Sequence, residues 1–233
     1  MIKLSIKSIK NSLIKSLSIT PAPNVSKKAL VVILLAALCL VCIRYLTGFE
    51  QLISFLELIH LDSLANYFTE LRNNTNDKQL FDLIYWTTCR VFFYLIIPVI
   101  AIKFFIKKRI SDFGWKLSDD LNKDLKIFIA FFCFMFPLVF WVSTQESFLI
   151  KYPFYRPSSA DQIYPNLLIW ELFYFLQFVS LEFFFRGFVV HGLKEEIGDY
   201  SVLVMIIPYC MIHFQKPFLE TIGAILAGVI LGY

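Results

Sequence analysis

Three ionisable residues in the last third of the chain are of the types that activate water. Glu182 and Arg186 lie in the otherwise apolar run 181–187, and His213 follows in the next apolar run. Their spacing of four places Glu182 and Arg186 on one face of a helix. A carboxylate can take a proton from water, and an imidazole can bind a metal, share the proton or stabilise an oxyanion. A guanidinium can hold a carboxylate ionised or grip a substrate carbonyl.

The depths of Glu182 and His213 in their apolar runs are similar. A short polar turn, residues 192–200, separates the two runs. Glu182 lies about ten residues, roughly 15 Å of helix, before it, and His213 lies about twelve residues, roughly 18 Å, after it. We therefore expect the two side chains to face each other in a buried, hydrated pocket. Two alternatives stay open: Glu182 and Arg186 as a neutralising intrahelical ion pair, and His213 as a structural hydrogen-bonding residue.

The composition predicts that membrane helices position these residues. The chain has 233 residues, of which 58% are hydrophobic and 17% charged, whereas a soluble domain is about half apolar and a quarter charged. The net charge of +4 is too small and too dispersed to predict nucleic-acid binding. We expect an all-α polytopic transmembrane helix bundle with about six spans. The apolar runs are residues 29–46, 81–106, 125–143, 167–190, 201–214 and 218–233.

The charged segments between the runs predict the orientation in the membrane. Residues 1–28 are basic and have the pattern of an amphipathic cytoplasmic segment that lies on membrane lipids, with a disordered basic tail as the alternative. Residues 29–233 form the membrane domain. The loop 107–123 is basic and the loop 47–80 is acidic, so the positive-inside rule places the N-terminus in the cytoplasm. Within the acidic loop, residues 50–63 predict one amphipathic helix.

The fifth apolar run differs from an ordinary span. Residues 201–214 are too few to cross a bilayer, and they include Pro208. We expect this run to end inside the membrane, with His213, Gln215 and Lys216 in a recess. Because exposed backbone is tolerated at that depth only beside protein or water, the recess is expected to be hydrated.

The last apolar run has small residues at a spacing that favours close packing. Gly228 and Gly232 lie four residues apart, as in the small-x-x-x-small pattern of membrane helix pairs. We expect this face to contact a neighbouring helix, and packing alone explains these glycines.

Two motifs around these residues resemble those of the CPBP family of intramembrane proteases, also called the Abi or CAAX-protease-like family. Its first motif, Glu-Glu-x-x-x-Arg followed by Gly, is similar to residues 181–187. Its second motif, Phe-x-x-x-His, is similar to residues 209–213. The motif-bearing part is residues 167–233, and the earlier spans match only in general architecture. The resemblance implies a helical membrane bundle, commonly of about eight helices.

The activity that this resemblance implies is that of an intramembrane endopeptidase acting on a membrane-associated protein or peptide. Glu182 would be the base for water, His213 the ligand or proton partner, and Arg186 the orienting group. The family has been described both as zinc-dependent, which would make His213 and Glu182 metal ligands, and as glutamate-driven without an obligatory metal. Both alternatives stay open. Family members include CAAX prenyl-protein endopeptidases and bacterial proteins of bacteriocin processing or self-immunity, so the expected location is a bacterial cytoplasmic membrane.

Three departures from the family motifs favour competing functions. Leu181 stands where the first motif has its leading Glu, and Tyr209 stands where the second has Phe. The family's later motif, His-x-x-x-Asn or Asp, has no counterpart before Tyr233, and we expect the chain to lack the family's C-terminal helices. An inactive pseudoprotease or a bacteriocin-immunity-like membrane protein is therefore the main alternative. A transporter is a third, because acidic and His side chains also relay protons in membranes.

Overall fold

The described residues of the computed structural model, 26–116 and 120–232, form helices joined by turns, without a strand. The predicted amphipathic segment 1–28 lies outside them except for its last three residues. Short 3-10 turns lie at Ile110–Phe113 and Ala160–Gln162. The helices are α1 (Lys27–Leu46), α2 (Phe49–Leu58), α3 (Asp62–Asn73), α4 (Lys78–Ile106), α5 (Leu121–Ser143), α6 (Glu146–Lys151), α7 (Asn166–Ile197), α8 (Tyr200–Met211) and α9 (Phe218–Gly232).

Four helices are long and apolar enough to cross a membrane: α1, α4, α5 and α7. The structure therefore agrees with an all-helical protein that is compatible with a membrane, but the predicted count of about six spans is not confirmed. The last two predicted spans are the short helices α8 and α9, of 12 and 15 residues. At about 1.5 Å per residue, α8 is roughly 18 Å long and ends well short of a 30 Å hydrocarbon layer.

The N-terminal end of α1 lies beside the C-terminal end of α7. The ammonium of Lys28 lies 3.2 Å from the carboxylate of Glu195 and donates a hydrogen bond to the carbonyl of His191. The same ammonium lies 5.5 Å from the centre of the Phe113 ring, which follows α4. The ends of α1, α4 and α7 therefore meet on one side of the bundle, which we call the Lys28 side.

Helices α2 and α3 cover the opposite side, which we call the Arg72 side. The prediction of one helix over residues 50–63 is wrong: the chain breaks between α2 and α3, where His60 has a φ of 60°. Arg72 on α3 donates two hydrogen bonds of 2.7 Å to the carboxylate of Asp82 on α4. It also lies 3.6 Å from Glu50 on α2. This guanidinium therefore ties both short helices to the bundle.

The core is aromatic and lies where α4 meets α7 and α8. Tyr94, Phe184 and Phe185 are fully buried, and the Tyr94 and Phe184 ring centres are 5.0 Å apart. The backbone of α7 is π-helical over Phe183–His191. By contrast, α5 has no buried residue, so its apolar side chains face outward on all sides. This composition suits contact with lipid.

The glycines of α9 differ in their surroundings. A Cβ atom on Gly232 would lie 2.5 Å from Cγ1 of Val202, and one on Gly228 would lie 3.2 Å from Cγ1 of Ile206. Both contacts are with α8, so the predicted close packing at this pair of glycines is confirmed. A Cβ atom on Gly223 would meet nothing within 4 Å.

A glycine inside α7, Gly187, also lies in close contact with its neighbours. A Cβ atom there would lie 2.8 Å from the carbonyl oxygen of Phe113 and 3.0 Å from the Phe183 ring. Because a backbone atom cannot move aside cheaply, we expect Gly187→Ala to destabilise the protein by roughly 1–3 kcal/mol. Gly223→Ala is the matched control, and we expect it to be neutral or slightly stabilising. Thermal unfolding in detergent measures both, and equal melting temperatures for the two variants would contradict this packing.

A second hydrogen-bonded cluster caps α4 on the Arg72 side. The carboxylate of Asp77 accepts hydrogen bonds from the Leu80 N–H at 2.9 Å, the Tyr155 hydroxyl at 2.6 Å and the Asn166 amide at 3.1 Å. Partial burial raises the pKa of Asp77, but these hydrogen bonds outweigh it and hold the pKa below its usual range. Asp77 therefore joins the start of α4, the buried Tyr155 and the start of α7.

We expect Asp77→Asn to lower stability by roughly 1 kcal/mol near neutral pH, because the charge-assisted hydrogen bonds are lost. The pKa of Asp77 in the folded state lies below the unfolded value of about 3.9. Its stabilising contribution is therefore present above that value and is lost as the pH falls through the folded pKa. The melting temperatures of the wild type and of Asp77→Asn, measured in detergent from pH 7 downward, should converge below about pH 4. A constant difference over that range would contradict the assignment.

Candidate functional site

Two cavities flank α7, and the motif residues are divided between them. The first, of about 460 Å³, opens on the Arg72 side. We call it the histidine cavity; its inner wall includes Arg90, Gln177, Leu181, Tyr209 and His213. The second, of about 790 Å³, opens on the Lys28 side. We call it the glutamate cavity; its wall includes Phe113, Lys116, Glu182, Arg186 and His191.

Arg186 joins three helices. Its Nη1 atom forms an ion pair with the carboxylate of Glu182, one turn earlier on α7. Its Nη2 atom donates a hydrogen bond of 3.3 Å to the carbonyl of Ala227 on α9, and its guanidinium lies 5.1 Å from the centre of the Tyr209 ring on α8. The Arg186 side chain is only 14% exposed, whereas that of Glu182 is 41% exposed. Arg186 is therefore a structural link as well as the partner of Glu182.

His213 is held just beyond the end of α8. Its Nδ1 atom lies 2.7 Å from the carbonyl oxygen of Tyr209, and its own carbonyl accepts a hydrogen bond of 2.8 Å from the Thr221 hydroxyl on α9. Because a carbonyl oxygen only accepts, we assign the proton of the neutral ring to Nδ1. The Nε2 atom of the neutral imidazole is then free to accept a proton or a hydrogen bond.

The predicted recess is present, but the predicted pairing of Glu182 with His213 is not. His213, Gln215 and Lys216 line the histidine cavity, as expected from the shortness of α8. Among the described residues, Glu182 and His213 share neither a hydrogen bond nor an ion pair, and they line different cavities. Side-chain contacts connect them through Arg186 and Tyr209, whose ring centre lies 5.0 Å from that of His213.

Leu181 occupies the position where the Glu182 carboxylate was expected. Leu181 lines the histidine cavity together with His213, and it is only 6% exposed. Neighbouring residues on a helix point about 100° apart, so turning Leu181 toward one cavity turns Glu182 toward the other. The described wall of the histidine cavity carries its carboxylates, Glu50 and Asp82, near its outer end, where Arg72 binds both.

Two polar residues of the histidine cavity were not identified as site residues from the sequence. Arg90 on α4 and Gln177 on α7 both line its inner part. The signal for Arg90 was available, because it is an ionisable residue in the middle of the apolar run 81–106. The signal for Gln177 is weaker, since an amide carries no charge.

The sequence leaves zinc binding at His213 and Glu182 open. Within the described ranges, no group of three or more His, Cys, Asp or Glu side chains that could hold a metal ion is found. His213 and Glu182, the two predicted ligands, line different cavities. Zinc binding at these residues stays a prediction of the sequence.

Comparison of the chain with models of protein families, with curated proteins and with solved structures finds no match in any of the three. The resemblance to the CPBP family therefore rests on the two motifs alone.

The geometry predicts that Arg186 matters more for stability than Glu182. Replacing Arg186 by Gln removes contacts to α7, α8 and α9 and leaves the Glu182 carboxylate without its partner, so we expect a loss of roughly 1–3 kcal/mol. Glu182→Gln leaves the contacts of Arg186 with Ala227 and Tyr209 in place, and the Gln amide oxygen can still accept a hydrogen bond from Arg186, so the loss should be smaller. Thermal unfolding in detergent ranks the two variants. An equal or larger effect of Glu182→Gln would show that the charge of Glu182 matters more for stability than the contacts of Arg186 with α8 and α9.

Proposed function

We propose that the chain is a membrane protein that binds a membrane-associated peptide or protein segment in the histidine cavity without hydrolysing it, as a pseudoprotease does. One observation carries this proposal: Leu181, and not a carboxylate, lines the histidine cavity beside His213. In the chemistry that the motifs imply, a carboxylate accepts the proton of the water that the imidazole contacts. The described inner wall offers His213 no carboxylate for that step.

The walls of the histidine cavity suit binding. Its volume of about 460 Å³ falls within the usual range of ligand pockets, roughly 300–1,000 Å³. Aromatic side chains lie in its wall together with many polar and charged groups, so the cavity can contact both the apolar and the polar parts of a ligand. The aromatic residues are Phe49, Trp86, Phe154, Tyr174, Phe178 and Tyr209.

The proposed location is a bacterial cytoplasmic membrane, with the N-terminus in the cytoplasm.

An intramembrane endopeptidase is the second candidate. It is favoured by the two motifs and by the continuous contacts from Glu182 through Arg186 and Tyr209 to His213. In this function Glu182 would activate water in the glutamate cavity, and His213 would act from the other side of Tyr209. A change in the rotation of α7 would be needed to bring the two groups to one water molecule.

Substitution at Leu181 distinguishes these two functions. The protein is reconstituted in liposomes with a defined set of synthetic apolar peptides, and products are detected by mass spectrometry. We expect no cleavage by the wild type and new cleavage by Leu181→Glu, which His213→Ala should abolish in the double variant. Leu181→Gln is the matched control, because the Gln side chain has nearly the same shape as the Glu side chain but cannot act as a base. Cleavage by the wild type that is lost in both Glu182→Gln and His213→Ala would establish the endopeptidase instead.

Binding itself is tested with a photo-crosslinking amino acid in place of Phe154, which lines the histidine cavity, or of Phe132, which is exposed on α5. We expect saturable crosslinking of the same synthetic peptides from position 154 only. Equal crosslinking from both positions, or none from position 154, would contradict binding in this cavity.

A further inference from the structure

Arg90 is a cation placed deep in the membrane-crossing helix α4. It lies twelve residues after Lys78, the first residue of α4, and this corresponds to about 18 Å along the helix axis. The Tyr85 hydroxyl, five residues earlier on α4, donates a hydrogen bond of 2.7 Å to the carbonyl of Leu46 at the end of α1, so Arg90 lies about 7.5 Å further into the bundle than that end of α1. An ionised side chain at that depth is costly, so it is expected to have a partner, either in the protein or in a ligand.

The protein supplies Arg90 with an aromatic contact but no anion. Its guanidinium lies 4.1 Å from the centre of the Trp86 ring, one turn earlier on α4. Within the described ranges, no carboxylate pairs with Arg90 and no oxygen accepts a hydrogen bond from it, and its Nε atom is buried without a partner. The carboxylates on the outer part of the cavity wall, Asp82 and Glu50, are bound to Arg72.

The remaining charges around the histidine cavity are also positive or paired. Lys216 forms an ion pair of 2.5 Å with Glu220, and Lys151 lies near the Phe154 ring without a carboxylate partner among the described residues. His213 contributes a neutral or positive ring. The described wall therefore carries an excess of positive charge, with Arg90 at its inner end.

Gln177 is the second unsatisfied group at this inner end. It lies on α7, which packs against α4, and it is 3% exposed. Its Oε1 atom is buried and accepts no hydrogen bond from any described residue. A buried acceptor without a donor is destabilising, as is a buried cation without an anion. The same cavity therefore offers one donor group and one acceptor group that lack partners.

We propose that the inner end of the histidine cavity binds the carboxylate of an apolar ligand, with Arg90 holding the carboxylate and Gln177 accepting a hydrogen bond from an adjacent N–H of the ligand. A guanidinium matches a carboxylate in shape and charge. An N-acylated amino acid, free or at the C-terminus of a peptide, has both a carboxylate and an amide N–H beside it. The aromatic wall then surrounds its apolar side chain.

A simple phosphate diester fits this site less well. It has only acceptor oxygens, so by itself it would leave the Oε1 atom of Gln177 without a donor. Hydrogen-bonding capacity therefore favours the acylated amino acid.

The test compares small probes bound to the full chain in nanodiscs, measured by saturation-transfer NMR. We expect N-acetylphenylalanine to bind at least about tenfold more tightly than N-acetylphenylalanine amide, because only the acid has a carboxylate for Arg90. This first comparison uses the wild type and needs no variant to fold. Equal binding of the acid and the amide would overturn the proposal.

Variants assign the selectivity to its residues. Arg90→Gln should abolish the preference for the acid, and Arg90→Lys should retain part of it. Lys151→Gln, which removes the other unpaired cation of the wall, is the matched control and should keep the preference. Gln177→Leu should abolish the preference of the wild type for N-acetylphenylalanine over 3-phenylpropanoate, which lacks the amide. Acid selectivity that survives Arg90→Gln would overturn the assignment.

The source of the carboxylate is identified with an apolar octapeptide that ends in phenylalanine, as the acid and as the amide. Preference for the peptide acid identifies a peptide C-terminus, whereas binding of N-acetylphenylalanine alone identifies a small acylated amino acid; both results support the proposal. This inference rests on the proposed function only in placing a ligand in the histidine cavity. Peptides that crosslink there without acid selectivity would overturn this inference alone. Selective binding of the small acid without any peptide binding would overturn the proposed function alone.

Discussion

The free-energy cost of an unpartnered charge in apolar surroundings determines much of this structure. Three arginines meet that cost in different ways. Arg72, at the Arg72 side, binds two carboxylates and so fastens α2 and α3 to α4. Arg186 binds Glu182, the Ala227 carbonyl and the Tyr209 ring, and thereby holds α7, α8 and α9 together. Arg90 contacts the face of Trp86. Carboxylates neutralise the first two arginines, whereas no carboxylate among the described residues neutralises the third.

The use of Arg186 as a link constrains what Glu182 can do. A carboxylate that neutralises a buried guanidinium stabilises the packing of three helices, and protonating it would leave that guanidinium unpaired. A general base must accept a proton during the reaction. The structural role and the catalytic role therefore compete for one carboxylate. A second carboxylate at position 181 would remove this conflict, and the chain has Leu there.

Several features could be predicted from the sequence because they depend on composition or on spacing along one helix. Hydrophobicity alone predicted an all-helical protein with membrane-compatible helices. A separation of four residues predicted that Glu182 and Arg186 share one helix face, where they form the ion pair that the sequence left open as an alternative. The shortness of the run 201–214 predicted that His213 lies in a recess. The glycine spacing in the last run predicted its close contact with α8.

The arrangement across helices could not be predicted in the same way. Depth follows from the rise per residue, but the direction in which a side chain points also depends on how its helix is rotated against its neighbours. No pattern in one helix specifies that rotation, which turns Leu181 to one cavity and Glu182 to the other. The break at His60 was missed for a related reason, since the amphipathic pattern continues through it.

The division of polar groups between the two cavities gives each a different chemistry. In the glutamate cavity the anion and the cation neutralise each other within the protein, so no ligand charge is required there. In the histidine cavity no described residue is such a partner for Arg90 at the inner end, and the buried Oε1 atom of Gln177 on the facing helix accepts no hydrogen bond from a described residue. A ligand with both a carboxylate and an N–H would give each of these two groups a hydrogen-bond partner. The free energy of the protein–ligand complex would fall as a result. Binding at the histidine cavity would therefore also stabilise the packing of α4 against α7.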